Sequence, residues 1–401
     1  MSTQRQATSA SQTPHISPAE LAYLYTSLSL PDGPIRPDGR SATQFRPLTA
    51  ETDLLPGTNG SARVGFADGT QAIVGVKAEV ERTVVGAGQQ QAATASASGD
   101  GEGNDGEEGA PAAGHGSWVQ MSIEIPGFRD DDALPVFLAE MMREPLVESV
   151  SSSAAAGDGD GEMEGGLKGR LVINRRWHWR LYIDVLLLSQ PLSYPLPLLS
   201  LTTHLALLAT KLPKLKSKGE EDPFFDDDWN AAEYLYPRVS STTSSKLGAA
   251  PSPAQHVRPP VTLLVIAVGD NVIFDPNREE IAVADTVLAI SVTRDGGADG
   301  GLKLLSIRTI DPPSRLTQPG VPNSENVATL GAAASNAGSE EQQQQQAVLN
   351  PVTGEEEVPG VWRPRRGGVK RRTVAQMVKL VLEKGGVGDE VLEGLEAVEV
   401  G

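Results

Sequence analysis

Hydrophobic positions along the chain fall into short runs whose spacing predicts helices and strands. A helix is expected to begin at Ser17, because a serine cap, Pro18 in the first turn and Glu20 reaching back form a typical start. Leucines at helical spacing follow, and the run ends in a Pro-Asp-Gly turn. Ser61–Ala67 and Gln71–Glu81 are predicted strands, and the Asp-Gly pair between them indicates a hairpin.

The same reasoning predicts elements over the rest of the chain. The expected strands are Trp118–Ile125, Leu171–Ile173, Trp179–Leu188, Val261–Val268, Val272–Phe274, Thr286–Val292 and Leu302–Ile307. The expected helices are Ala133–Leu146, Leu196–Leu212 and Glu279–Ala284, with a further helix opened by a capping box at Thr373. Strand clusters with intervening helices predict an α/β or α+β domain with mixed sheets. The strand-rich portions before and after residue 195 suggest an internal duplication.

Between these elements lie stretches of Gly, Ala, Ser, Gln and acidic residues that bury too little apolar surface to offset chain entropy. We therefore expect solvent-facing insertions within one folded domain. The predicted organisation is a disordered tail over 1–16, a domain over 17–310 with insertions at about 86–117, 151–168 and 238–256, a low-complexity linker over 311–372 and a helical segment over 373–401.

Composition narrows the possible functions. The net charge is −18, so contact with nucleic acid would need a local basic patch or partner proteins. The chain has no cysteine, which excludes disulfides, thiolate zinc sites and Cys nucleophiles and fits a reducing compartment. The most apolar stretch, Leu181–Leu212, is interrupted by Asp184 and three prolines, so no membrane span is expected.

Common catalytic and metal motifs are missing. The sequence contains no Walker loop, HExxH or GxSxG. Asp158–Glu162 partly matches a calcium-binding loop, but Met163 and the lack of flanking helices favour a solvated acidic linker. His204 lies in a predicted buried helix and His178 lies between two tryptophans, so packing is the expected role of both. We predict no catalytic residue, no metal site and no cofactor.

Basic residues cluster at Arg363–Arg366 and Lys370–Arg372. A cluster of this kind can be a nuclear localisation signal, an RNA contact or a solvated linker, and the sequence favours none of the three.

Several segments together resemble one family. Arg36, Pro37, Asp38, Gly39 and Arg40 are similar to an N-terminal Arg-x-Asp-Gly-Arg signature of the RNase-PH-like subunits of the RNA exosome core. Asn59–Val64, Gly69–Thr70 and Gly75–Val80 follow in the order typical of the first hairpin of these subunits. Four later segments resemble one subtype of them: Trp177–Leu188, Ala206–Pro213, Arg258–Val261 and Val272–Pro276. The resemblance covers roughly residues 17–85, 118–150, 169–236 and 257–310.

The resemblance implies an RNase PH fold with two βαβ-type halves and assembly into a hetero-hexameric ring of related subunits. It also implies S1/KH-type cap proteins above the ring and RNA threaded through its pore. The implied processes are 3′-to-5′ RNA processing and decay, including ribosomal RNA maturation, in nucleus, nucleolus and cytoplasm. The alternatives are an active phosphate-dependent exoribonuclease and a free-standing RNA-binding module. The acidic balance and 4% aromatic content disfavour the second.

Two positions predict that this member is inactive. Catalytic relatives hold phosphate in a Gly-Thr-Arg or Gly-Ser-Arg loop before a helix, where this chain has Leu192–Pro195. They also carry an acid at the start of an Asp-x-Pro-Val strand, and aligning Pro260 and Val261 with that Pro-Val pair places Arg258 at the position of the acid. A cation cannot replace a carboxylate in proton transfer or metal binding.

The family also suggests where RNA would be contacted. Arg143 matches an RNA-binding arginine of archaeal relatives, Ala139 stands at the companion position, and Arg129 is a second candidate. The alternative for Arg143 is a solvated arginine paired with nearby acids. For Arg36, Asp38, Gly39 and Arg40 the favoured role is turn-building, with the arginines bridging to a neighbouring subunit or to phosphate as the other possibility.

Overall fold

Two β-sheets pack on either side of one apolar helix. The computed structural model describes residues 16–83, 115–147, 167–217, 219, 221–236, 258–294, 301–310, 348–349, 356–357 and 369–399. Within these ranges, no helix is both long and apolar enough to span a bilayer.

The first sheet has five strands in the order β1-β2-β3-β5-β4. Its strands are β1 (Leu48–Thr52), β2 (Gly60–Phe66), β3 (Gln71–Arg82), β4 (Val119–Glu124) and β5 (Trp177–Leu187). All pairs are antiparallel except β4–β5, which is parallel. Helix α2 (Ala133–Val147) lies between β4 and β5 in the chain and packs on β4. The first half therefore contains a βαβ unit.

The second sheet has four strands in the order β11-β10-β8-β9. Its strands are β8 (Val261–Val268), β9 (Asn271–Phe274), β10 (Thr286–Arg294) and β11 (Leu302–Ile310), paired antiparallel throughout. Every residue of β8 is buried, as its unbroken apolar run predicts. The short pairs β6 (Lys211–Leu212) with β7 (Glu233–Tyr234), and β12 (Val348–Leu349) with β13 (Glu356–Glu357), stand apart from both sheets.

The central helix is α4 (Leu196–Ala209), and all its residues are buried. It contacts β2 and β3 of the first sheet and β8 of the second. Each fully buried leucine contributes roughly 1.5–3 kcal/mol, so this helix is the main apolar link between the two halves. The other helices are α1 (Pro18–Leu28), α3 (Leu167–Arg170), α5 (Arg278–Ala282), α6 (Arg371–Leu382) and α7 (Val387–Glu396).

Most predicted elements are confirmed, and so is the mixed α/β class. The Ser17 capping box is present, with the Glu20 N–H donating to Ser17 and the Ser17 N–H donating to Glu20. The capping box at Thr373 was wrong, because α6 begins at Arg371 after Lys370, which makes no side-chain cap. Leu171–Ile173 is not a strand, since only Val172 forms a bridge, to His178.

The predicted insertions fall largely outside the described residues. Where their edges are described, structure extends slightly further than the sequence suggested. A 3-10 turn covers Gly116–Trp118, and α3 begins at Leu167. Strand β1 was not predicted from the sequence, whereas α7 lies within the helical segment that was predicted over 373–401.

Candidate functional site

The signature loop is held by buried ion pairs to the second half of the chain. The Arg36 side chain donates from Nε and Nη2 to the two carboxylate oxygens of Glu280, at 2.7 and 2.8 Å. Its other donors reach main-chain oxygens, including those of Phe274 and Asp275 at 3.1 and 3.0 Å. Arg36 is only 3% exposed. Bridging by Arg36 to phosphate or to a neighbouring subunit therefore does not fit this geometry.

Asp38 and Gly39 build the turn of this loop. Gly39 has a φ of 75°, which suits glycine, and its N–H donates to the Arg36 carbonyl at 3.1 Å. The Asp38 carboxylate accepts from the Arg40 N–H and from Arg40 Nε, at 3.1 and 2.7 Å. Burial alone would raise the pKa of Asp38, but the hydrogen bonds from Arg40 outweigh burial and lower it.

Two arginines converge on Asp275, which is fully buried at the end of β9. Its carboxylate accepts from Arg40 Nη1 at 2.8 Å and from Arg46 Nε and Nη2 at 2.9 and 2.7 Å. The Arg46 main-chain N–H donates to it as well, at 2.9 Å. Arg46 Nη1 also donates to Asp68 and to the Ser193 hydroxyl, at 2.8 and 2.9 Å. This arginine–carboxylate cluster ties the signature loop to both sheets.

The segment that would bind phosphate precedes α4. Pro195 stands at the N-cap without a side-chain cap, and Pro197 follows within the first turn. Neither proline has an N–H to offer an anion. Tyr194 is largely buried, which raises its pKa to about 12. Ser193 is engaged by Arg46. The first turn of α4 is thus apolar where an anion would need donors.

Arg258 precedes β8 and is bound by α7, the last helix of the chain. Its Nε donates to Glu396 of α7 at 3.2 Å, and its carbonyl accepts from the Thr293 hydroxyl at 2.6 Å. Glu396 also lies 3.5 Å from Arg294 of β10. Strand β8 lies alongside α4, since the Thr262 N–H donates to the Ser200 hydroxyl at 2.7 Å. The position expected to hold a catalytic acid therefore holds a cation in a structural ion pair.

Arg143 lies in a groove of about 560 Å³ between β4 and α2. Its Nε and Nη2 donate to Glu140 at 3.0 and 2.9 Å, and its Nη1 donates to the Gly116 carbonyl at 3.0 Å. The hydrogen bond to Glu140 raises the pKa of Arg143. Among the described residues, three of its five N–H donors are engaged, which leaves two for a ligand. Ala139, at the companion position, also lines this groove.

Arg129 is placed differently from Arg143. Its side chain is 81% exposed and lies 3.2 Å from Asp131, and its main-chain N–H donates to Asp132 at 2.8 Å. Asp130, next to it, lines the groove. The structure thus brings both candidate arginines near the same groove, each beside a carboxylate.

The two singled-out histidines are packing residues. His178 stacks on Trp118 with ring centroids 4.0 Å apart, and burial lowers its pKa. His204 is buried on α4. Of the basic cluster, Arg363–Arg366 lies outside the described residues, whereas Arg371 and Arg372 form the exposed start of α6.

Sequence reasoning missed Arg46, Glu280 and the role of Asp275. The signal available for Asp275 was its place directly after an apolar strand and before a proline. Nothing in the pattern around Arg46 indicated that it pairs with Asp275, which lies 229 positions further along the chain.

Two curated proteins are similar to this chain over most of its length. It is 30% identical to the exosome complex component RRP42 of Saccharomyces cerevisiae over 281 residues, which is 69% of this chain and 81% of the relative. It is also 30% identical to rrp42 of Schizosaccharomyces pombe over 279 residues, covering 69% of this chain and 78% of the relative. No family model matches the chain.

Solved structures give more distant matches. A chain of the Archaeoglobus fulgidus exosome with RNA bound to the active site is 20% identical, with a TM-score of 0.42 and coverage of 72% of this chain and 86% of that one. Rice Rrp46 is 13% identical, with a TM-score of 0.36 and coverage of 75% and 94%. The assignment rests on the two curated relatives: this chain belongs to the family of RRP42-type exosome complex components.

Proposed function

We propose that this chain is a non-catalytic subunit of the exosome core ring that supports 3′-to-5′ RNA processing and decay, including ribosomal RNA maturation. Its relatives are named as exosome components. The observation that carries the non-catalytic part is the first turn of α4, where Pro195 and Pro197 stand in place of anion donors. The alternative is an active phosphate-dependent exoribonuclease.

Phosphorolysis needs a phosphate held against the terminal RNA linkage and stabilisation of the charge that develops there. Helix N-termini serve this purpose through free N–H groups. In α4 two prolines remove such donors, and leucines surround them. The cation that contacts this segment, Arg46, is already bound by Asp275 and Asp68. An incoming phosphate would have to displace two carboxylates.

The position of the catalytic acid supports the same conclusion. Arg258 can neither accept a proton as a carboxylate does nor bind a divalent cation. Its pairing with Glu396 gives it a stabilising role between β8 and α7. Catalysis in the assembly then comes from another subunit.

The proposed partners are other RNase-PH-like subunits in a hetero-hexameric ring, S1/KH-type cap proteins and RNA. Large exposed apolar side chains support docking to protein neighbours, because such residues mark interaction surfaces when they cluster. Tyr23 on α1, Ile35 in the segment after α1, and Val136 and Phe137 on α2 are all exposed. The proposed locations are nucleus, nucleolus and cytoplasm.

The phosphorolysis assay separates the two functions. The purified chain, incubated with single-stranded RNA and inorganic phosphate, is expected to release no nucleoside diphosphate. Arg258→Asp is expected to remain inactive, because it restores the acid without restoring the anion donors of α4. Reactions without phosphate control for contaminating hydrolases. Phosphate-dependent release by the wild-type chain would establish the alternative.

RNA lining of the groove is tested with charge changes at Arg143. In the assembled ring, Arg143→Glu is expected to weaken protection of threaded RNA, because it replaces a phosphate-binding cation with an anion. Glu140→Gln is expected to strengthen it, since the carboxylate that competes for Arg143 is removed. Lys77→Glu on the exposed face of β3 is the control, because it makes the same reversal of charge away from the groove. Equal protection in Arg143→Glu and Lys77→Glu would contradict a role for this groove.

A further inference from the structure

The loop between β6 and β7 presents aromatic rings to solvent from a firmly held backbone. The Lys216 N–H donates to the Phe224 carbonyl and the Asp226 N–H to the Lys214 carbonyl, at 2.8 and 2.9 Å. Phe225 packs on Trp179 of β5, with ring centroids 5.0 Å apart. The loop is thus a small hairpin anchored to the first sheet by its inward-facing ring.

A second set of contacts fixes the start of the same loop to the segment before β5. The Asn174 side-chain amide donates to the Glu221 carbonyl at 2.9 Å. The Trp177 indole N–H donates to Asp222 at 3.1 Å. Further along, Asp228 accepts from the Asn230 N–H at 3.0 Å and caps a 3-10 turn.

Two rings of this loop face outward. Phe224 is 64% exposed and Trp229 is 49% exposed. Exposing two rings within six positions to water is energetically unfavourable. It is also unusual in a chain with only 4% aromatic residues. Rings held on a rigid backbone lose little entropy on binding, which is why Trp and Phe are favoured at protein interfaces.

Acidic residues outnumber basic ones around the rings. Residues 221–236 contain six acids, Glu221, Asp222, Asp226, Asp227, Asp228 and Glu233, and no lysine or arginine. Three of these acids, Glu233, Asp226 and Asp222, pair with Lys214, Lys216 and Arg176 at 3.6, 3.1 and 3.9 Å. Asp227, two positions before Trp229, is exposed and forms no ion pair within the part of the chain that the structure describes. Such a surface repels RNA phosphates and attracts cations.

We propose that the loop Glu221–Glu233, with Phe224 and Trp229 as its apolar contacts, docks a segment of another protein in which lysines or arginines alternate with apolar side chains. The apolar side chains pack on the two rings, and the cations pair with Asp227 and Asp228 and stack on the Trp229 ring. This surface is distinct from the Arg143 groove and does not depend on RNA binding.

The test uses the full chain and a fluorescein-labelled synthetic peptide of alternating lysine and leucine. Fluorescence anisotropy is expected to show tighter binding of this peptide than of a lysine–serine peptide of equal length and charge. Phe224→Ser with Trp229→Ser is expected to weaken binding about tenfold or more. Asp227→Asn is expected to weaken it less, and carbodiimide cross-linking is expected to join the peptide lysines to Asp227 or Asp228.

Two matched variants separate docking from general attraction to an acidic protein. Leu188→Ser removes an apolar side chain just after β5 that is 46% exposed, and Glu51→Gln removes one charge from β1. Both are expected to bind the peptide as the wild type does. The proposal is overturned by equal binding of the two peptides, by unchanged binding of the double variant, or by cross-links confined to other acids.

Discussion

Asp275 joins the two halves of the molecule at the level of single side chains. Its carboxylate accepts four N–H donors from Arg40 and Arg46, and it adopts a φ of 44°, which is uncommon outside glycine. Asparagine tolerates this backbone conformation, so Asp275→Asn removes the charge while keeping the turn.

We predict that Asp275→Asn lowers the free energy of unfolding by roughly 3–5 kcal/mol, because it leaves two largely buried guanidinium groups short of a counter-charge. Urea unfolding measures the change. Asp130→Asn, an exposed carboxylate next to the groove, is the control and is expected to change stability by less than about 0.5 kcal/mol. Equal effects of the two substitutions would show that the cluster does not stabilise the fold.

The roles of single residues were the hardest part of the molecule to predict from the sequence. The turn at Asp38 and Gly39 is local, so its composition was enough to predict it. The partner of Arg36 is Glu280 in α5, 244 positions along the chain, and the partner of Arg46 is Asp275 after β9, 229 positions along it. Such pairs depend on how the sheets meet, which periodicity does not encode.

At the scale of elements, β2 and the end of α4 are in unusually close contact. A Cβ built on Gly60 would lie 2.6 Å from the main-chain N and Cα of Thr210. A main-chain neighbour cannot rotate away, so a methyl group must push the helix end from the sheet.

Gly60→Ala is therefore predicted to destabilise the protein by roughly 1–3 kcal/mol. Gly394→Ala is its counterpart, because Gly394 lies in α7 with nothing within 4 Å of the added Cβ. There the better helix propensity of alanine is expected to stabilise the fold by up to about 1 kcal/mol. Thermal unfolding of the two variants should shift in opposite directions, and a shift in the same direction would contradict this packing.

The two predicted capping boxes show what local sequence decides and what it does not. Ser17 itself is extended, with φ of −69° and ψ of 151°, and the box closes as expected. At Thr373 the helix instead begins two residues earlier, with the Val374 N–H donating to the Lys370 carbonyl at 3.2 Å. The buried face of α6, formed by Met377 and Val381, fixes this helix on the second sheet. Tertiary packing thereby extended the helix past its local cap signal.

At the scale of the whole molecule, the apolar pattern predicted the architecture because the spacing of apolar residues distinguishes strands from helices. The continuous apolar runs of α4 and β8 marked the buried centre, and the structure places these two elements side by side. The segment 373–401 was predicted as a separate helical piece, yet Arg258 and Arg294 tie α7 to the second sheet. Those contacts again involve residues far apart in sequence.

The central claim is that this chain acts as one member of a ring of related subunits. The most direct measurement is the mass and subunit composition of the complex obtained when the tagged native protein is purified under mild conditions. We predict several different RNase-PH-like chains together with cap proteins, with this chain present once per complex. Recovery of the chain alone, or as an oligomer of identical copies, would contradict the claim.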